Sequence, residues 1–326
     1  MKALVYWPGA PPRVAEYLVS GLSRILETDT AYNFDDALTR VRYVEVFVGQ
    51  LNNALLREAR RLRFAQVTSA GVDHLDLGLA RRKGVLMASA KGVNSFYVAE
   101  LALSLMLALA KRLVELDRKA KENVFPGYDW SRWSIGTLKN KTVLVYGYGG
   151  IGRELARLLE PFGAKIIGVR RGAESEYYDG HVKVVPPSGT LKYIGEADFL
   201  VIAVPLTEET REAIDRNLLS RMKKGSYVIN VSRGDVLSEE ALYEALTSGR
   251  LAGAGIDVWW VYPGERQGTV YSHRGVHRLP NVIAVPHRGG FVEEAFMEVA
   301  SFAISNVERF IKGEEPISLV DYEKGY

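Results

Sequence analysis

The stretch Thr142-Val143-Leu144-Val145-Tyr146-Gly147-Tyr148-Gly149-Gly150-Ile151-Gly152-Arg153 decides the fold of this chain. A short, mostly apolar strand pattern runs into a G-x-G-x-x-G turn. Apolar residues Ile151, Leu155, Leu158, Leu159 and Phe162 then recur at helical spacing. Strand, glycine turn and helix in that order make a seat for a pyrophosphate. Gly147 permits the tight turn, Gly149 lets the backbone approach the phosphates, and Gly152 lets the helix pack against the sheet. The first helical turn, from Gly150 and Ile151, offers free N–H groups and the positive end of the helix dipole to the anion.

Outward from this unit, short apolar runs alternate with helical patterns. Strands are expected at residues 3–7, 43–48, 64–68, 85–87, 142–146, 165–169, 199–204, 227–231, 254–258 and 282–284. Such alternation implies parallel sheets with right-handed crossovers. The pattern breaks near residues 88–95, ahead of a long apolar helix, and the segment 294–310 is amphipathic and helical. The expected fold class is therefore α/β with two doubly wound parallel-sheet domains. A Rossmann dinucleotide-binding domain (96–290) is inserted in a smaller flavodoxin-like substrate domain (1–95 plus 291–326).

The second strand of the glycine unit ends in Gly168-Val169-Arg170-Arg171. An acidic residue about twenty positions past the glycines would hold the adenosine ribose hydroxyls. Arg170 stands in that place. A carboxylate repels a 2′-phosphate, whereas a guanidinium pairs with it in bidentate fashion. Arg170 and Arg171 thus favour NADP, with NAD possible.

Composition narrows the function classes. The 326 residues include 42 basic and 39 acidic side chains, a net charge of +3, with no basic stripe, so no nucleic-acid partner is expected. The chain has no cysteine, which excludes disulfides, thiolate catalysis and cysteine-ligated zinc; no metal site is expected. Residues 2–9 read as a strand and loop rather than a secretory leader. The longest apolar stretch, 96–110, contains Glu100 and is too short to span a bilayer. It reads as a buried helix, with an oligomer contact as the alternative. No membrane association is expected, and the cytoplasm is the expected location.

Further motifs follow in order: Ser69-Ala70-Gly71-Val72-Asp73-His74, Gly92-Val93-Asn94-Ser95, Val98-Ala99-Glu100, Ala203-Val204-Pro205-Leu206-Thr207, Asn230-Val231-Ser232-Arg233-Gly234-Asp235, Gly255-Ile256-Asp257-Val258-Trp259-Trp260 and Val285-Pro286-His287-Arg288-Gly289-Gly290. With the glycine turn, this ordered set resembles the D-isomer-specific 2-hydroxyacid dehydrogenase family over nearly the whole chain. The resemblance implies hydride transfer between a nicotinamide cofactor and a small 2-keto or D-2-hydroxy acid such as glyoxylate or hydroxypyruvate. It also implies a homodimer whose interdomain cleft closes on the substrate. Reducing a keto acid requires a cation to clamp the carboxylate and polarise the carbonyl, and an acid to protonate the alkoxide. Arg233 matches the family's substrate arginine and His287 its acid/base. Backbone N–H groups of Ala70, Gly71 and Val72 match its carboxylate-holding loop, and Asn94 faces the cleft or caps a helix. Cofactor contacts are implied at Val204, Pro205, Thr210, Ser232, Arg233, Asp257, His287 and Gly289, besides the glycine turn.

One position departs from the family. Where a glutamate normally pairs with the catalytic histidine, this chain has Tyr262, a phenol that hydrogen-bonds but is neutral near pH 7. The formate dehydrogenase branch also carries a neutral residue there. Three arrangements are open: Tyr262 orients a less basic His287, Glu265 swings in to restore the pair, or the enzyme oxidises formate. The first is preferred. A dinucleotide-sensing protein of the corepressor type is the competing class, and the retention of both Arg233 and His287 favours an enzyme.

Overall fold

The computed structural model describes residues 1–125, 127–262 and 271–326. The chain divides into two compact units, Met1–Asn94 with Gly290–Tyr326, and Ser95–Gly289.

The first unit holds β1 (Lys2–Tyr6), β2 (Glu27–Thr30), β3 (Val46–Gly49), β4 (Phe64–Val67) and β5 (Leu86–Ala88). They form one parallel sheet in the order β2-β1-β3-β4-β5, the flavodoxin-like arrangement. β3 and β4 are buried throughout, which is why they read as unbroken apolar runs. The exception is Gln66, fully buried on β4. It meets the equally buried Asn306 of the helix Glu293–Lys312: the Asn306 amide nitrogen donates to Gln66 Oε1 (2.7 Å) and to the Ile317 carbonyl (2.8 Å), and its oxygen accepts from the Ile317 N–H (2.8 Å). Phe310 of that helix stacks on Phe64 with ring centroids 4.8 Å apart. A strand and a helix whose paired residues are 240 positions apart thus share one core and one hydrogen-bond network.

The second unit holds β6 (Thr142–Tyr146), β7 (Lys165–Val169), β8 (Tyr177–Asp179), β9 (Val182–Val185), β10 (Phe199–Ile202), β11 (Ser226–Asn230), β12 (Leu251–Ile256) and β13 (Val282–Ala284). Their order is β13-β12-β11-β10-β6-β7-β9-β8, parallel except for the antiparallel edge strand β8. Removing β8 and β13 leaves the doubly wound order of a dinucleotide-binding domain. Alternate residues feed two apolar layers, Leu144, Leu200 and Val228 on one face and Val143, Val145, Val201 and Ile229 on the other. The long apolar helix, Ser95–Ala110, belongs to the second layer. It approaches β12 because Gly253 and Gly255 carry no side chain: a Cβ on either would come within 3.2 Å of Leu109 or 3.0 Å of Leu105. Among the described residues no helix is long and apolar enough to cross a membrane.

Three strands were not expected from the sequence. β2 is Glu-Thr-Asp-Thr on a sheet edge and carries no apolar signal. β8 and β9 form a hairpin around Gly180, whose φ of +60° suits glycine. Tyr43 lies in a 3-10 turn rather than a strand, and β12 begins at Leu251 and ends at Ile256, earlier than the periodicity suggested.

Candidate active site

Parallel sheets of this kind bind ligands beyond the carboxyl ends of their strands, where the strand order reverses. In the second unit the reversal falls between β6 and β10, and the glycine turn leaves β6 there. The three glycines differ in their surroundings. Gly147 has φ +113°, and a Cβ on it would lie 2.4 Å from the Ala203 carbonyl oxygen at the end of β10. A Cβ on Gly152 would lie 2.5 Å from the Gly147 carbonyl oxygen, so the helix Gly150–Leu159 seats directly on the turn. A Cβ on Gly149 would meet nothing within 4 Å. Gly149 is also the N-cap of that helix, with no side-chain cap. Open space above a bare helix N-terminus fits a pyrophosphate, with Gly150 and Ile151 in the first turn.

Arg170 and Arg171 follow β7 and are exposed. The Arg170 N–H donates to the Val185 carbonyl (2.9 Å), and its guanidinium leans toward the Tyr177 hydroxyl (3.4 Å). Arg171 turns the other way and pairs with Glu209 at 3.2 Å. Beyond β10, the Thr210 hydroxyl donates to the Pro205 carbonyl (2.7 Å), and the Thr207 N–H donates to Thr210 Oγ1 (2.8 Å). These bonds stiffen the loop that begins at Val204.

Arg233, Tyr262 and His287 lie at the carboxyl ends of three adjacent strands, β11, β12 and β13. Beyond β11, Asn230 is fully buried. Its side-chain oxygen accepts from the Ser232 N–H (3.1 Å) and hydroxyl (3.0 Å), and its nitrogen donates to the Arg233 carbonyl (2.9 Å). One side chain therefore shapes the loop that presents Arg233, whose Nη1 donates to the Ser232 carbonyl at 2.8 Å. Gly234 follows because a Cβ there would lie 2.3 Å from the Trp259 carbonyl oxygen.

Beyond β13, His287 is exposed and has φ +56°, a backbone region that non-glycine residues seldom occupy. Asp257, just past β12 and 2 % exposed, holds it there. One carboxylate oxygen accepts from the Arg288 N–H (2.6 Å), the other from the Gly289 N–H (2.9 Å). Burial pushes the Asp257 carboxyl upward from its ordinary value, and the two N–H groups oppose that shift. Both its oxygens are engaged by the main chain of the histidine loop.

Tyr262 Oη stands 3.1 Å from His287 Nδ1 and accepts the Trp259 N–H at 3.3 Å. The phenol thereby faces the inner nitrogen of the imidazole. Trp259 is buried, and its indole N–H donates to the Val285 carbonyl (2.8 Å); that of Trp260 donates to the Leu237 carbonyl (2.8 Å). Both tryptophans pin strand-end loops together. Glu265, the other candidate partner of His287, lies outside the described residues.

In the first unit, Ala70, Gly71 and Val72 follow β4. The Ser69 hydroxyl donates to the Gly71 carbonyl (2.8 Å), and the Ala90 N–H donates to the Ser69 carbonyl (3.0 Å). The Asn94 amide lies against the backbone of Gly290, where a Cβ would come within 2.7 Å of it. His74 is exposed, and its carbonyl accepts from Asn53 at 3.2 Å.

Sequence reasoning assigned no role to Asn230 or Glu209. A polar residue closing the apolar run 226–230 was the available signal for Asn230. Nothing local marks Glu209, because its partner is 38 residues away.

Residues 103–289 match the model of the D-isomer specific 2-hydroxyacid dehydrogenase NAD binding domain. The chain is 33% identical over 297 residues to a glyoxylate reductase of Thermococcus litoralis, covering 87% of this chain and 86% of that one. It is 34% identical over 263 residues to a hydroxypyruvate reductase of Thermotoga maritima, covering 79% of each. In fold it matches an NADPH-dependent glyoxylate/hydroxypyruvate reductase of Sinorhizobium meliloti, solved with NADP and malonate. That match has a TM-score of 0.78 at 24% identity, covering 99% of this chain and 97% of that one.

Proposed function

The chain belongs to the D-isomer-specific 2-hydroxyacid dehydrogenase family, and from that premise we propose that it reduces glyoxylate and hydroxypyruvate to the corresponding 2-hydroxy acids, with NADPH preferred to NADH. The observation that carries this reading is the set of strand-end loops in which Arg233, the Tyr262–His287 pair and the Asp257 grip on residues 288 and 289 succeed one another. The nicotinamide, when bound, supplies the hydride.

The residues of the chain supply the rest. The planar fork of Arg233 clamps the keto-carboxylate and draws charge onto the carbonyl oxygen. His287, held by Asp257 through the following amides and by Tyr262 at Nδ1, gives a proton from its other ring nitrogen to the developing alkoxide. Ala70, Gly71 and Val72 offer backbone N–H groups to the carboxylate, and Asn94 belongs to the same substrate set. The glycine turn, with Val204, Pro205, Thr210, Ser232 and Gly289, makes up the cofactor set.

NADPH is favoured because the two residues directly after β7, where a ribose-binding carboxylate would stand, both carry guanidinium groups. The family resemblance supports a homodimer, and the cysteine-free composition suits the cytoplasm. The test is a steady-state screen of glyoxylate, hydroxypyruvate and formate with both cofactors. Turnover of formate alone, or of none of the three despite cofactor binding, would replace this reading with the formate or the sensor alternative.

A further inference from the structure

The ion pair between Arg171 and Glu209 has a particular place in the second unit. Arg171 comes from the loop after β7 and Glu209 from the loop after β10, and these two strands flank β6 on either side. The pair therefore links the loops on both sides of the glycine turn that leaves β6. Both loops are held by local hydrogen bonds. Glu209 sits between Thr207 and Thr210, whose hydroxyls and amides bond across it. Arg171 sits in a turn closed by the Ala173 N–H donating to the Arg170 carbonyl at 3.1 Å. The two arginines diverge: Arg170 leans toward Tyr177 on the far strands, whereas Arg171 reaches toward β10.

We infer that the Arg171–Glu209 pair is a clasp that a 2′-phosphate must open, and that Glu209 thereby sets how strongly the protein distinguishes NADPH from NADH. This rests on the cofactor reading above, in which the phosphate sits at the end of β7. A phosphate dianion held bidentately takes two N–H groups of one guanidinium edge, and it competes with Glu209 for the Nη1 that the carboxylate now holds. NADH carries no group that competes for Arg171 and leaves the pair closed. Both side chains are exposed, 44% for Arg171 and 73% for Glu209. The pair is accordingly weak, and its opening changes affinity by a factor of about two to five.

The experiment is a double-mutant cycle read by equilibrium titration of NADPH and NADH into the full-length protein. The four proteins are the wild type, Glu209→Gln, Arg171→Ala and the double variant. Glu209→Gln is expected to tighten NADPH about two- to five-fold and to leave NADH unchanged. In the Arg171→Ala background the same substitution is expected to have no effect on either cofactor. An equal gain for both cofactors, or a gain that survives without Arg171, overturns the clasp and indicates simple repulsion between Glu209 and the cofactor anion. If Arg171→Ala weakens NADPH but Glu209→Gln changes nothing, the clasp fails and the cofactor reading stands. If Arg171→Ala leaves NADPH binding intact, the role of Arg171 in cofactor recognition fails, and the clasp with it.

Discussion

Replacing Tyr262 with glutamate converts the neutral partner of His287 into a charged one, and the geometry sets the expected size of the effect. The phenol oxygen is 3.1 Å from His287 Nδ1. A glutamate is shorter than a tyrosine, so its carboxylate would stand about 5 Å from the imidazolium charge, where attraction is ~1 kcal/mol in water and about 3 kcal/mol at an effective dielectric of about 20. His287 is exposed, which places the true value toward the lower end. An attraction of about 1.4 kcal/mol corresponds to one pKa unit. The sign follows from which form is stabilised: a carboxylate favours the protonated imidazole, so the proton donor persists to higher pH. The descending limb of kcat/KM for glyoxylate reduction should therefore move up by about one unit in Tyr262→Glu. Tyr262→Phe, which removes the Nδ1 contact without adding charge, should lower kcat/KM about ten-fold and leave the limb within about half a unit, as loss of orientation does. The assay is initial-rate NADPH oxidation across pH 5 to 10 in buffers of constant ionic strength. A limb that stays put in Tyr262→Glu, in a protein that still folds and binds NADPH, would refute the pairing. A limb that instead falls in Glu265→Gln would assign the pairing to Glu265.

The other expectations are simpler. Asp257→Asn leaves one of the two amides at 288 and 289 facing an N–H instead of an acceptor, so it should cost about 1–3 kcal/mol of stability and lower kcat more than it raises KM, as thermal melts and kinetics would record. Gly149→Ala should leave the melting temperature within a degree or two, because a Cβ there meets nothing within 4 Å, yet weaken NADPH binding at least ten-fold; unaltered binding would remove the pyrophosphate from that space. Gly147→Ala should instead destabilise the protein by more than about 1 kcal/mol, since its positive φ and the Ala203 carbonyl both oppose a side chain. Asn306→Ala removes the donor to the buried Gln66 Oε1 and both contacts to the Ile317 backbone and should cost about 1–3 kcal/mol, measurable by urea titration, while cofactor affinity stays constant.

Much of this fold was legible because its determinants are local. The glycine turn sits between a strand and a helix whose periodicities are plain, and β6, β7 and β13 lie at the residues expected for them. What escaped reading was either polar or distant. β2 carries no apolar pattern, and the hairpin of β8 and β9 is marked only by the turn pair Asp179-Gly180 beside a short, polar and exposed first strand. In the site, Tyr262 and His287 were singled out from a family resemblance, and they stand in hydrogen-bond contact. The Asp257 grip depends on β12 and β13 being neighbours, and Asn230 shapes its loop only because the strand end is buried. Neither fact exists until the sheet is assembled.

The division of the chain also bears on the order in which its parts can form during synthesis. The unit Ser95–Gly289 is continuous, so it is synthesised in one run before residues 290–326 are made. The other unit is not: β4 is translated before that run, and the helix that covers it, with Asn306 and Phe310, only after it. Nascent chains therefore carry an open apolar sheet face for roughly two hundred residues of elongation, about 10–40 s at bacterial rates. That interval is when chaperone capture or aggregation would begin, and it would lengthen with every residue inserted into the continuous unit.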